Sequence, residues 1–586
     1  MSLAATVPAV PARRWRPRFG PLWLAAPGFA FLAVFFLLPV AQLLGLSLED
    51  PQTGALSATA YLRLLHVDVY LRVLGITFRI ATLTALASLL LGYPLAYWLA
   101  QLPDRRRGRM ILLVVVPFWT SYLVKTFAWM IVLGRTGLLN RVSAALGGPE
   151  LDLLHNEAGV LIGMVHAMLP LAVLTMLPVM TGIDRRLGQA AGTLGAAPAR
   201  SFWLVWFPLS MPGVAAAGLL TFISSLGFFI VPALLGGRHQ TMLAQLVIVQ
   251  IQEMLNWGFA GALAALLLVT ALATCWLYDR VFGLSSLSGE PPRRRGGGRG
   301  LLRRLGLGLL GLAATASAAL AEAVARIAGP GLRRRLLPGY VVLLLVFLVA
   351  PTLVVLPIAF TSSHFLEFPP PGYGTHWFEV YLSSPVWISA TLRSFGVAFA
   401  TALIATVIGG LGALALARAR ARWRGAVFAF FLAPMIVPRI VIAVGLFYLF
   451  AKLGLVATNL GLTIGHTVLA LPFAFIAVAA VLKSYDWRLN QAAATLGANG
   501  LQALRLVTVP LIKGGVVAAF LFAFITSFDE LTVAIFVSGG VTTTLPKQMW
   551  DDMILQLNPT LAAVSVVVFV VITAVLLGAE RLRRSG

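Results

Sequence analysis

One cysteine, Cys275, stands in 586 residues, and it lies inside an apolar run. That excludes a disulfide framework and thiolate metal sites and leaves the redox compartment unreadable. Charge is also scarce: 11% of residues are Asp, Glu, Lys or Arg, where a soluble protein carries about a quarter. The acidic residues are the rarer, 20 against 44 Lys and Arg, for a formal net charge of +24. A balance that basic points to nucleic acid only if the basic side chains gather on a solvated domain, and no stretch is long and polar enough to make one. No His, Cys, Asp or Glu cluster has metal-ligand spacing. No G-x-x-x-x-G-K-[ST] phosphate loop is present, and none of the five lysines follows a glycine, so the chain itself is not expected to hydrolyse ATP. Nor is there an organised nucleophile, base and orienting group to suggest a membrane enzyme.

What the sequence has instead is apolar length, with 59% apolar residues and a mean hydropathy of +0.92. A helix needs roughly 20 apolar residues to cross the hydrocarbon core. Twelve runs qualify, near 22–45, 74–100, 110–134, 158–181, 213–235, 260–282, 338–361, 391–417, 425–451, 462–482, 514–537 and 560–580. The first is too long for a signal peptide's apolar core and lacks a small-residue cleavage site, so it reads as a span. Basic residues near span ends stay cytoplasmic. With the N-terminus inside, the inner segments hold 33 of the 44 basic residues, whereas the outer loops hold nine basic and eleven acidic ones. The net charge thus reports orientation, with both termini cytoplasmic.

The chain divides into two halves, 1–282 and 338–586, joined by a basic, Gly-rich linker at 283–337. Residues 305–325 are apolar enough to imitate a thirteenth span. A span there would invert the second half, so an interfacial or cytosolic amphipathic helix is expected. The halves repeat at an offset of 302: QAAGTLGAAPARSFWLVWFPLSMPG at 189–213 faces QAAATLGANGLQALRLVTVPLIKGG at 491–515. Two halves of six spans enter the membrane the same way, which implies a pseudo-two-fold axis along its normal. The pattern of small residues, glycine, then an apolar-Pro pair predicts a helical hairpin on the cytoplasmic side, at 182–212 and 483–513, suited to close docking on a partner.

The repeated loop resembles the EAA signature of the permeases of binding-protein-dependent ABC importers, and the resemblance covers nearly the whole chain. It implies an all-α integral membrane protein of the type I importer permease fold, with twelve transmembrane helices in two parallel six-helix repeats. It also implies two cytosolic ABC ATPases that bind ATP and Mg, an extracytoplasmic solute-binding protein, a small-molecule substrate and the bacterial cytoplasmic membrane. The ATPase-coupling residues carried over are Gln189, Ala190, Ala191, Gly195 and Pro208, with Gln491, Ala492, Ala493, Gly497 and Pro510. The family's glutamate is glutamine in both copies, so docking by shape and hydrogen bonding is expected.

Within the family, KTFAWMIVLGRTGLLN (125–140) and SLGFFIVPALLGG (225–237) resemble the first permease of polyamine importers. IGHTVLALPFAF (464–475) and SFDELTVAIFVSGG (527–540) resemble the second. Fused permeases for ferric iron and thiamine share the plan, and relatives carry aminoethylphosphonate. An ion-coupled secondary transporter is the rival class, since twelve spans in parallel halves describe that architecture too. Asp529, Glu530, Lys125 and Arg439 are ionisable groups at membrane depth, where a charge faces a cavity or a partner. Asp529 and Glu530, near Trp119, Tyr122, Phe127 and Trp129, suit an ammonium through charge pairing and cation-π contact. An internal Arg439–Asp529 pair holding two helices together explains the same residues, and the aromatics and His466 have packing roles as their alternative.

Overall fold

The computed structural model describes residues 21–50, 53–282, 300–419, 421–540 and 542–584. The basic N-terminal run and the linker's PPRRRGGG stretch lie outside them. The described residues form helices throughout, with β structure limited to three isolated bridges.

In chain order the first half contains α1 (Leu22–Leu46), α2 (Asp68–Gln101), α3 (Asp104–Trp119), α4 (Tyr122–Leu133), α5 (Glu157–Thr181), α6 (Arg185–Thr193), α7 (Phe207–Leu226), α8 (Ile230–Leu235) and α9 (Trp257–Phe282). After α10 (Gly300–Ala359) the second half follows with α11 (Pro385–Arg418), α12 (Ala421–Ile436), α13 (Arg439–Leu453), α14 (Asn459–Lys483), α15 (Arg488–Thr495), α16 (Lys513–Phe528), α17 (Thr532–Val537) and α18 (Thr560–Arg584). The repeat is now visible in the helix bounds. α2, α3 and the start of α4 recur 317 residues later, and α5, α8 and the end of α7 recur at 302. The 15-residue difference is absorbed after α4, where Gly134–Asn156 precedes α5 but only Gly454–Thr458 precedes α14.

Among the described residues nine helices are long and apolar enough to cross a membrane, or eleven if each of two bent pairs counts as one span. The expected twelve is not reached by that measure. The pair α12–α13 bends by 90° and the pair leading into α16 bends by 76°. The apolar stretch Thr560–Ala574, in the last expected span, falls among the shorter helices. Irregular backbone is tolerated at membrane depth where it is buried in protein or lines a cavity, which is where the breaks before Tyr122 and Arg439 sit.

Each half is built on three helices, its second, fourth and fifth spans: α2, α5 and α7, then α11, α14 and α16. The first span of each half packs on the other half. A Cβ on Gly28 of α1 would strike the Phe431 ring at 2.4 Å, and one on Gly445 of α13 would come within 2.8 Å of the Pro39 carbonyl oxygen. Reciprocally, Tyr340 of α10 donates to the Leu91 carbonyl at 2.7 Å, and a His166 ring nitrogen lies 3.0 Å from the Leu348 carbonyl oxygen. Without a hydrophobic drive between helices in lipid, such close backbone approach and interhelical bonding hold the halves together.

Residues 305–325 belong to the single helix Gly300–Ala359, continuous with the seventh span. At 60 residues it is far longer than a span needs, so part of it lies beyond the hydrocarbon. That part touches the first half: Trp203 Nε1 donates to Ser317 Oγ at 3.0 Å.

Candidate functional site

The two repeated loops fold as the hairpins their sequence suggests. α6 ends at Thr193 and α15 at Thr495, and the turns that follow hold Gly195 at φ +81° and Gly497 at φ +88°. In the first copy Gly195 N–H bonds the Gly192 carbonyl at 3.0 Å and Ala196 N–H the Ala191 carbonyl at 3.0 Å. In the second, Gly497 N–H bonds Ala494 at 3.1 Å and Ala498 N–H bonds Ala493 at 3.0 Å. Both are Schellman ends, whose left-handed residue is glycine because a Cβ is disfavoured there. Nothing on either helix is buried. Gln189, Ala190, Gln491 and Ala492 are exposed, Ala191 and Ala493 half-buried, and Leu194 and Leu496 are 88% and 89% exposed.

The hairpins are fixed at their roots. Arg185 donates to the Ala100 carbonyl at the end of α2 at 2.8 Å, satisfying a carbonyl left over at a helix end. Asn490 donates to buried Thr508 at 2.9 Å and accepts from Tyr485 at 2.6 Å. Pro208 and Pro510 each follow a π turn, Phe202–Trp206 and Leu504–Thr508. A proline cannot donate to the carbonyl four residues back, and the widened turn absorbs that loss.

Between the halves lies a cavity of about 120 Å³, lined among others by Tyr122, Gly227, Phe228, Arg439, Phe473 and Asp529. Tyr122 and Arg439 are the first residues of α4 and α13, equivalent positions in the repeat, and Gly227 and Asp529 follow the equivalent helices α7 and α16. The Tyr122 ring meets Phe228 edge-on at 5.2 Å. Asp529 lies beside Ser121 and Tyr122 and within electrostatic reach of Lys125 and Arg439.

The four candidate charges are electrostatic neighbours but have different hydrogen-bond partners. Asp529 and Arg439 face the cavity, whereas Lys125 and Glu530 hold helix ends. Lys125 is buried, its Nζ 3.0 Å from the Pro117 carbonyl oxygen near the end of α3 and 4.3 Å from the Tyr122 ring centre. Glu530 is buried and accepts from the backbone N–H of Thr532 at 2.9 Å, Val533 at 2.8 Å and Ala534 at 3.4 Å, all in the first turn of α17. A carboxylate there satisfies donors that have no partner inside the helix. The Arg439–Asp529 pair proposed as a helix tie is not formed: among the described residues no carboxylate lies within 4.0 Å of the Arg439 guanidinium. Phe127 and Trp129 are buried, and Trp129 packs edge-on against His166 at 5.5 Å, so neither lines the cavity. The Trp119 side chain lies outside the described residues. His466 is buried, one ring nitrogen 2.8 Å from Ser527 Oγ and the other 3.8 Å from Glu530, a packing and bonding role rather than a metal site.

Comparison with known proteins gives a match to the family described as the binding-protein-dependent transport system inner membrane component, over residues 92–281 and again over 405–585. The chain belongs to this family. The permease is 32% identical over 239 residues to the spermidine/putrescine transport system permease protein PotB of Escherichia coli, covering 40% of this chain and 86% of PotB. To PotC of Haemophilus influenzae, also named for spermidine and putrescine, it is 31% identical over 215 residues, covering 37% of this chain and 84% of PotC. Each relative thus matches about half of the permease. A crystal structure of a bacterial alginate ABC transporter is 15% identical, with a TM-score of 0.40 over 44% of this chain and 93% of that one.

Sequence reasoning missed the permease's Gly227, Phe228 and Phe473 as cavity residues. The offset of 302 offered one signal, since it places Gly227 opposite Asp529; Phe473 carried none.

Proposed function

We propose that this permease forms the whole membrane pathway of an ATP-driven importer for a small amine-bearing solute, polyamines being the amines that the relatives' names supply. Two cytosolic ATPases bind ATP and Mg, and each takes one hairpin: Gln189, Ala190, Ala191 and Gly195 in one contact, Gln491, Ala492, Ala493 and Gly497 in the other. Pro208 and Pro510 set the π turns that join hairpin to span. An extracytoplasmic binding protein delivers the solute to the outer face, both termini lie in the cytoplasm of a bacterial cell, and the inner membrane is the site of action. ATP closure draws the hairpins together and rocks the halves, so that the cavity opens first outward and then inward. The observation that carries this reading is the pair of matching, exposed, glycine-ended hairpins, for which an ion-driven carrier has no use. Asp529 supplies the carboxylate for an ammonium and Tyr122 a ring face beside it. Uptake of labelled putrescine by cells lacking other amine importers tests it. Uptake should require this chain and fall with cellular ATP, whereas uptake that follows the ion gradient alone would favour the secondary carrier.

A further inference from the structure

The cavity is lined by two opposite charges that make no contact ion pair with each other. Arg439 is exposed into it, Asp529 lines it too, and the ion pairs among the described residues leave both out. The neighbouring charges have hydrogen-bond partners elsewhere, Glu530 in the first turn of α17 and Lys125 at the Pro117 carbonyl, while Lys125 stays within electrostatic reach of Asp529 and Glu530 of Arg439. Nor does Arg439 serve its own helix, since it opens α13, where the macrodipole disfavours a cation. Arg439 lies within electrostatic reach of Asp529 and Glu530 but makes no contact ion pair and caps no helix, and an ionisable residue so placed at membrane depth is a candidate to meet a solute in the pathway. A guanidinium offers a planar fork of donors matched to a carboxylate or similar oxyanion. We infer that Arg439 is a specificity-determining residue: it receives an anionic oxygen group on the same solute whose ammonium sits against Asp529. The site therefore favours amines that also carry an oxyanion over pure polycations, which would satisfy Asp529 but be repelled by Arg439. Spermidine and putrescine, the solutes in the relatives' names, carry no group for Arg439. The inference rests on the reading of Asp529 as the amine contact and narrows the class of amine it serves.

The test compares two probes of equal chain length, tritiated putrescine and tritiated 4-aminobutyrate, by equilibrium dialysis against the full chain in lipid nanodiscs. The wild type should bind 4-aminobutyrate at least about tenfold more tightly than putrescine, the worth of a charge-assisted hydrogen bond. R439Q should erase that ratio, R439K should keep its order, and D529N should weaken both probes. Equal or tighter binding of putrescine, no binding of 4-aminobutyrate, or an unchanged ratio in R439Q overturns the assignment of Arg439. Unchanged binding of both probes in D529N overturns the amine reading instead. Monodisperse elution of each variant shows that the comparison is made on folded protein.

Discussion

Gly227 of the first half rests on Pro438 of the second: a Cβ at position 227 would lie 3.1 Å from the Pro438 Cβ and 3.7 Å from the Arg439 nitrogen. The equivalent position in the repeat is Asp529, which lies beside Ser121 and Tyr122. Each half thus ends its fifth span on the break in the other half's third. The cavity forms at that crossing, with both of its charges contributed by the second half.

Enlarging Gly227 should act on the junction rather than on the fold of either half. Gly227→Leu puts a Cβ 3.1 Å from the Pro438 Cβ, so the junction must give way, and overpacking of this kind costs about 1–3 kcal/mol. The expected outcome is a lowered thermal midpoint and loss of solute uptake, with Gly227→Ala milder in both. Uptake by Gly227→Leu at the wild-type rate would show that the contact is not maintained during transport.

Asp529 and Glu530 should separate cleanly. Glu530→Ala leaves three backbone donors of α17 without their acceptor in a buried setting, a loss of about 1–3 kcal/mol for each group left unsatisfied. Yield and thermal midpoint should fall. Asp529→Asn keeps its shape at the cavity wall and should leave both near wild type while weakening amine binding. A parallel loss of stability in the two variants would return Asp529 to a structural role.

How much of this was legible in the sequence depends on what a residue's neighbours are. The hairpins were readable because the glycine, the small residues and the proline are local requirements, and the same local rules act twice at an offset of 302. Asp529 and Glu530 were indistinguishable, because the chain leaves its helix at that point and adjacent side chains then take opposite directions. From sequence Lys125 reads as part of the pathway, because its partner, the Pro117 carbonyl, is freed only by the break at Thr120–Ser121. That break falls within an apolar run, marked only by Pro117 and the polar pair Thr120–Ser121. Residues 305–325 share one helix with the seventh span although Gly329, Pro330, Gly331 and Pro338 stand between them, breakers that in the sequence mark a boundary.

Lys125→Met is the variant that tests the helix-end role. Methionine preserves the length of the side chain but offers no donor, so the Pro117 carbonyl loses its partner. The thermal midpoint should drop by an amount equivalent to about 1–3 kcal/mol, while the ratio of binding between two amine probes stays at its wild-type value. A changed ratio with an unchanged midpoint would place Lys125 in the pathway after all.

The hairpins turn on Gly195 and Gly497, and their coupling role can be tested there. A Cβ at Gly195 or Gly497 meets no neighbouring atom within 4 Å, so the first effect of substitution there is on the backbone. At φ +81° and +88° a β-branched residue is strongly disfavoured, and the Schellman turn would have to open. Gly195→Val and Gly497→Val should therefore leave the membrane core and its thermal midpoint nearly unchanged while displacing Leu194 or Leu496 from its exposed position. If the proposed mechanism holds, transport should be lost in each single variant, since it requires both hairpins to be drawn together. The ATPases should still hydrolyse ATP but no longer respond to solute, and less ATPase should co-purify with the double variant than with either single one. Wild-type uptake in either single variant would mean that its hairpin is a connector and not the contact through which ATP drives transport.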